Sequence, residues 1–233
     1  MPTATPSVPP TSGRYPQPPG SRGSLKWIQR AVNLRPEILA PEILRQIPRA
    51  TRLSWKSPLE GDSVAEYRDA GFLERIGQGS LSTELASFWP ARGPQWDALA
   101  CTDSGDVLLV EAKAHIGELC SPPSQAGPQS LEKIEAALQE TASYLGATNP
   151  QCWSTLFYQL TNRLAHLYFL RKHGVSAWLI LVNFIGDDDM RGPQSAAEWK
   201  AAYQVVLHVL GLSARHKLAP YIFEVYPSVI VLR

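Results

Sequence analysis

Gly93-Pro94-Gln95-Trp96-Asp97-Ala98-Leu99-Ala100 and, one turn later, Val107-Leu108-Leu109-Val110-Glu111-Ala112-Lys113-Ala114 are two apolar, strand-like runs with charges set into them. Strands buried on both faces read as continuous apolar stretches, and Leu108-Leu109-Val110 followed by alanines has that form. An unpaired charge in such a strand costs several kcal/mol. Glu111 and Lys113 therefore call for a compensating partner, a metal ion among the candidates.

Side chains alternate along a strand, so Glu111 and Lys113 share one face while Val110, Ala112 and Ala114 share the other. Between the runs, Asp103-Ser104-Gly105-Asp106 is a hairpin signal. A two-residue loop at Ser104-Gly105 pairs Asp97 with Ala112 and turns it away from Glu111. A three-residue loop, Asp103-Ser104-Gly105 with Gly105 left-handed, pairs Asp97 with Glu111 instead. Shared chemistry between the two carboxylates needs the second register, so a bulged or odd-length hairpin is expected.

An Asp followed one strand later by Glu-x-Lys resembles the PD-(D/E)XK nuclease superfamily, whose fold is restriction-endonuclease-like. Asp97, Glu111 and Lys113 carry the resemblance, and with the surrounding elements it extends over about residues 62 to 185. The match departs from the family pattern in one respect, because Gln95 and Trp96 separate Pro94 from Asp97. The resemblance implies an α/β fold with an α-β-β-β-α-β core: a mixed central sheet flanked by helices, here with an extra C-terminal helix and strands. It also implies metal-dependent hydrolysis of nucleic-acid phosphodiesters, with DNA favoured over RNA.

The residue chemistry agrees. Two carboxylates on one face form a hard oxygen site suited to Mg²⁺ or Mn²⁺, which keep several waters and seek phosphate oxygens. Such an ion polarises the phosphate and acidifies a bound water. Lys113 would orient that water or stabilise charge developing on the phosphoryl oxygens. An upstream acid, Glu84, is a further candidate metal ligand, as acids on the first helix are in some members of the superfamily; Glu74 is a weaker one. The structural alternative is an ion pair between Glu111 and Lys113 with Asp97 ending a turn. A third possibility is a non-catalytic nucleic-acid- or protein-binding module on the same fold, and a fourth a hydrolase of a smaller phosphate.

The rest of the chain sets the frame. Its 233 residues suffice for one sizeable domain with appendages, and 44% hydrophobic content fits a globular core. Residues 1–60 carry nine Lys/Arg against three Glu; the remainder carries thirteen against eighteen acids. Residues 1–24, rich in Pro, Ser and Thr, are expected to form a disordered tail. Residues 25–60 are expected to be a basic segment of short helices, and residues 61–233 the nuclease-like domain. The tail lacks the pattern of a secretory signal, and the longest apolar run, Ala177 to Ile185, is too short to span a bilayer. Three cysteines without paired spacing indicate neither zinc nor a disulfide framework. A cytoplasmic location is therefore expected. A homodimer stays open, since cutting both strands of a duplex often takes two such domains.

Element by element, helices are expected over 62–76, 129–145, 152–173 and 195–210. Strands are expected at Ala86–Trp89, in the central hairpin, at Ala177–Phe184, Tyr221–Tyr226 and Val229–Leu232. His115 falls on the face of Glu111 and Lys113 and either contacts substrate or caps the strand. Asn162 and Arg163 lie on the long helix, where they either reach substrate or brace the helix against the sheet. The Gln-x-x-x-Tyr helix motif of some nucleases is absent, because Arg163 stands four residues after Gln159. Asp187-Asp188-Asp189 has diverging side chains and reads as a solvated loop. Trp89, Trp96 and Trp178 read as core.

Overall fold

A computed structural model describes residues 13–233 of the protein. In chain order the elements are β1 (Arg14–Tyr15), α1 (Gly23–Asn33), α2 (Ala40–Gln46), β2 (Leu53–Ser57), β3 (Glu66–Tyr67), α3 (Asp69–Arg75) and α4 (Ser82–Phe88). They continue with β4 (Ala98–Thr102), β5 (Val107–Lys113), α5 (Pro128–Leu145), α6 (Tyr158–Lys172), β6 (Ala177–Asn183), α7 (Ala196–Val209) and β7 (Ile222–Val225). Five strands form one mixed sheet in the order β2-β4-β5-β6-β7. The β2/β4 and β4/β5 pairs are antiparallel, whereas β5/β6 and β6/β7 are parallel.

Parallel neighbours require a crossover, and α5 with α6 supplies it between β5 and β6. All seven residues of β5 are buried, as its unbroken apolar run requires. On one face, Leu99, Leu109, Leu179 and Leu181 pack with α3 to α7 through Phe72, Leu138, Leu164 and Trp199. On the other, Ala98, Ala100, Leu108, Val110 and Ile180 pack with α1 and α2 through Trp27, Ile28 and Ile43. The result is three layers, helix on sheet on helix.

The central hairpin takes the odd-length register. Ala98 pairs with Val110 and Cys101 with Val107, and the Thr102 N–H donates to the Asp106 carbonyl at 3.0 Å. Its loop is therefore Asp103-Ser104-Gly105, with Gly105 at φ +87°. The buried Asp106 carboxylate fixes the loop by accepting from Ser104 and Ser176 hydroxyls, both at 2.6 Å. A Cβ at Gly105 would meet nothing within 4 Å, so a side chain there suffers only backbone strain. Gly105→Val is expected to destabilise the fold by about 1–2 kcal/mol, read as a lower urea midpoint at unchanged m-value.

Several sequence expectations are corrected. Ala86–Trp89 is not a strand: it ends α4, whose Leu85 is buried, and the chain becomes extended only at Trp89. The first strand of the sheet is instead β2, inside the 25–60 segment expected to be helical; α1 of that segment covers a sheet face, so the segment is integral to the domain. The helix expected over 62–76 is confined to α3, with the two-residue strand β3 before it. The helix expected from Cys152 begins at Tyr158, after Phe157 at φ +51°. Val229–Leu232 forms a 3₁₀ turn in place of a strand. In the expected tail, residues 14–15 pair with β3, while residues 1–12 lie outside the described residues. No helix among the described residues is long and apolar enough to cross a membrane.

Candidate functional site

The register of the hairpin decides what meets at its open end. Continuing the Ala98–Val110 pairing by one residue sets Asp97 opposite Glu111, on the face that carries Leu99, Leu109 and α6. Asp97 Oδ2 accepts the Ala112 N–H at 2.7 Å, which fixes the carboxylate against β5. Lys113, two residues beyond Glu111, extends to the same side.

Glu111 is 2% exposed and both its oxygens are engaged. Oε2 accepts from Arg163 Nε at 2.6 Å, and Oε1 accepts from the Lys113 ammonium. Arg163 is itself held on three sides. It donates to the Gln95 carbonyl at 2.7 Å and to Asn162 Oδ1 at 2.9 Å, and its guanidinium lies 4.7 Å from the Trp96 ring centre. Lys113 Nζ also donates to Gln159 Oε1 at 2.6 Å. Asn162 and Arg163 thus brace α6 against the sheet, while Asn162 and Gln159 also line the opening described below.

The carboxyl groups titrate apart. Burial by itself would raise Glu111, but Arg163 and Lys113 together hold it below the usual carboxylate range. Burial pushes Asp97 well above that range and repulsion from Glu111 adds to it, against a counter-pull from Lys113. A third acid, Glu66 on β3, is 6% exposed. Its Oε2 accepts from Gln95 Nε2 at 2.6 Å and Gln17 Nε2 at 3.2 Å. Burial pushes Glu66 up to about 6; the Gln95 hydrogen bond and Arg163 temper the rise and Glu111 reinforces it.

A raised carboxyl pKa favours the fold at low pH, and that advantage is lost as pH climbs through the folded value. Glu66 pays nothing below its ordinary value of 4.5, and above about 6 its ionisation opposes folding. Glu66→Gln keeps an acceptor for Gln17 and Gln95. It is expected to stabilise the protein by about 1–2 kcal/mol at pH 8 and to be neutral at pH 4, as urea unfolding at the two pH values would read.

Asp97 and Lys113 open into a cleft of about 600 Å³, shared with Ser24, Glu118, Tyr158, Gln159 and Asn162. Glu118 ties α1 to the end of β5: it accepts the Ala114 N–H at 2.5 Å and the Ser24 hydroxyl at 3.0 Å. His115 faces Glu118 at 3.7 Å and does not line the cleft. Glu84 is exposed on α4 and does not line this cleft. The side chains of the aspartate run diverge, but the expected solvated loop is corrected at its first member. Asp187 is buried against Trp27 Nε1 at 2.6 Å, and Asp188 and Asp189 face solvent.

Glu66 falls within the helix expected over 62–76, a pattern that hides a charge flanked by apolar residues in an extended segment. Gln159 was visible only as half of a missing motif, and its contact with Lys113 has no local signal.

Among the described residues, no three His, Cys, Asp or Glu side chains converge closely enough to hold a metal ion together. The donor chemistry nevertheless fits a hard divalent cation. Among the described residues, Asp97 Oδ1 accepts no hydrogen bond, and the carboxylates of Glu66, Asp97 and Glu111 face two cations, Lys113 and Arg163. Burial is the main reason Asp97 is raised, and an added cation would relieve the repulsion from Glu111 that adds to it. Compared with protein-family models, curated proteins and solved structures, the chain matches none.

Proposed function

We propose that this chain is a metal-dependent nuclease with a restriction-endonuclease-like core, acting on nucleic-acid phosphodiesters and on DNA in preference to RNA. The single observation that carries the proposal is the three-residue hairpin loop, which sets Asp97, Glu111 and Lys113 on one face, with Asp97 and Lys113 lining an open cleft and Glu111 buried behind them. With α2 before β2 and β3, α3 and α4 between β2 and β4 set aside as additions, the order α1, β2, β4, β5, α5–α6, β6 supports it by following the α-β-β-β-α-β order of the superfamily that the Asp and Glu-x-Lys residues resemble.

Asp97 and Glu111 would hold Mg²⁺ or Mn²⁺. When bound, the ion supplies phosphate polarisation and a water acidified for attack. Arg163 fixes the Glu111 carboxylate so that it need not reorganise during reaction. Gln159 holds the Lys113 ammonium at the cleft wall, where it donates to the attacking water or to the charge gathering on the phosphoryl oxygens. Tyr158 and Asn162 present hydrogen-bonding groups to substrate along the same wall.

One observation favours a second reading, a binding module without catalysis: Lys113 and Arg163 already occupy both oxygens of Glu111. Metal binding separates the two. Calorimetric titration with Mn²⁺ is expected to show a saturable site that Asp97→Asn weakens by at least tenfold; no heat beyond dilution for the wild type would favour the binding module.

A further inference from the structure

The wall of the cleft is poor in positive charge. Its charged lining residues are Asp97, Glu118 and Lys113, two acids and one base. Lys113 already donates to Glu111 and Gln159, which leaves one N–H for substrate. Glu118 already accepts from Ala114 and Ser24. Duplex DNA carries one charge per about 1.7 Å of its axis, and proteins that hold it by the backbone spend several Lys or Arg on phosphates. The lining of this cleft holds no such set.

What the wall offers instead is apolar. Pro122 and Pro123 are both exposed and both line the cleft, as does the half-buried Tyr158. The prolines are pinned from either side. Ser121 Oγ accepts the Gln159 N–H at 2.9 Å, and the Ser124 N–H donates to the Ser154 carbonyl at 2.9 Å. Proline has a fixed φ and no side-chain rotamers to freeze, so a ring face held this way receives a flat partner at little entropic cost. In a duplex the base faces are stacked on one another. In a single strand they are free, and stacking against them draws on no phosphate charge.

Depth points the same way. Lys113 is 6% exposed and Glu111 2%, so the reactive groups are recessed. Duplex DNA stays nearly straight over about 150 base pairs, and kinking it to lower a phosphate costs energy. A single strand bends at each nucleotide and can carry a phosphate down to Lys113 while a neighbouring base rests on the prolines.

We propose that the cleft takes single-stranded DNA, with a base flanking the scissile phosphate seated against Pro122, Pro123 and Tyr158. This rests on the nuclease reading above and deepens it by choosing the strandedness of the substrate.

The test compares a labelled single strand with the same sequence as a duplex, each titrated with wild-type protein in Ca²⁺, an ion that fills oxygen sites. Fluorescence anisotropy over a range of salt reads the binding. The single strand is expected to bind at least about tenfold more tightly, with log K falling against log[salt] on a slope no steeper than about −2. Pro122→Ser combined with Pro123→Ser, and separately Tyr158→Ala, are each expected to loosen the single strand by about five- to tenfold. The proline variant lies on an exposed loop and keeps the test decisive if Tyr158→Ala fails to fold. Duplex bound as tightly as the single strand, a steeper slope, binding of neither, or single-strand binding that no folded variant weakens overturns the proposal. Preferred single-strand binding by protein that cleaves no substrate would remove the nuclease reading alone. Cleavage accompanied by equal binding of duplex would remove this proposal alone.

Discussion

Lys113→Ala is expected to slow phosphodiester cleavage by about 10²–10³-fold while leaving the fold in place. The size of the effect follows from where the ammonium sits. Lys113 is 6% exposed, held by Glu111 and Gln159 at the cleft wall, and a donor in so dry a position acts with little reorganisation. In the proposed mechanism its contact would be with the attacking water or the charge forming on phosphate, so the loss should fall on kcat, with KM nearly unchanged. The fold survives because Glu111 keeps Arg163 at 2.6 Å. Steady-state kinetics on a labelled oligonucleotide, with circular dichroism as the control for folding, would read both.

Arg163→Met should do the opposite, costing about 3–5 kcal/mol of stability. Arg163 is 2% exposed and joins Glu111, the Gln95 carbonyl and Asn162 in one buried network. Its removal leaves Glu111 with Lys113 alone and strips the Gln95 carbonyl of a donor, in surroundings where an unpaired group carries its full desolvation cost. The guanidinium also loses its face-on contact with Trp96. Urea unfolding at pH 7 would report the change as a lower midpoint at constant m-value, and a loss below about 1 kcal/mol would show that Lys113 suffices for Glu111.

The parts of this protein legible in its sequence are those decided by local pattern. The β5 and β6 runs are continuous and apolar, and the hairpin register followed from asking which loop length lets Asp97 face Glu111. The α5 and α7 spans were also clear, because their apolar residues recur at helical spacing and their ends carry a Gly or a Ser cap. What was hidden depended on distant partners. Strand β2 lies among prolines and exposes Ser54, and it becomes a strand by pairing with β4. Residues 86–89 look extended, yet Leu85 is buried within α4 and draws the turn before Trp89 into a helix. In the site, Asp97, Glu111 and Lys113 could be read because charge in an apolar strand is conspicuous. Glu66 and Gln159 could not, since tertiary packing alone brings them to the other three.

Cleavage of end-labelled single- and double-stranded DNA and RNA, with Mg²⁺ or Mn²⁺ and with EDTA, tests the central claim most directly when wild type is set beside Asp97→Ala and Lys113→Ala. The account predicts metal-dependent cleavage, fastest on DNA, that both folded variants lose. Absence of cleavage of all four substrates by folded wild type, or cleavage that persists in both variants, would contradict it.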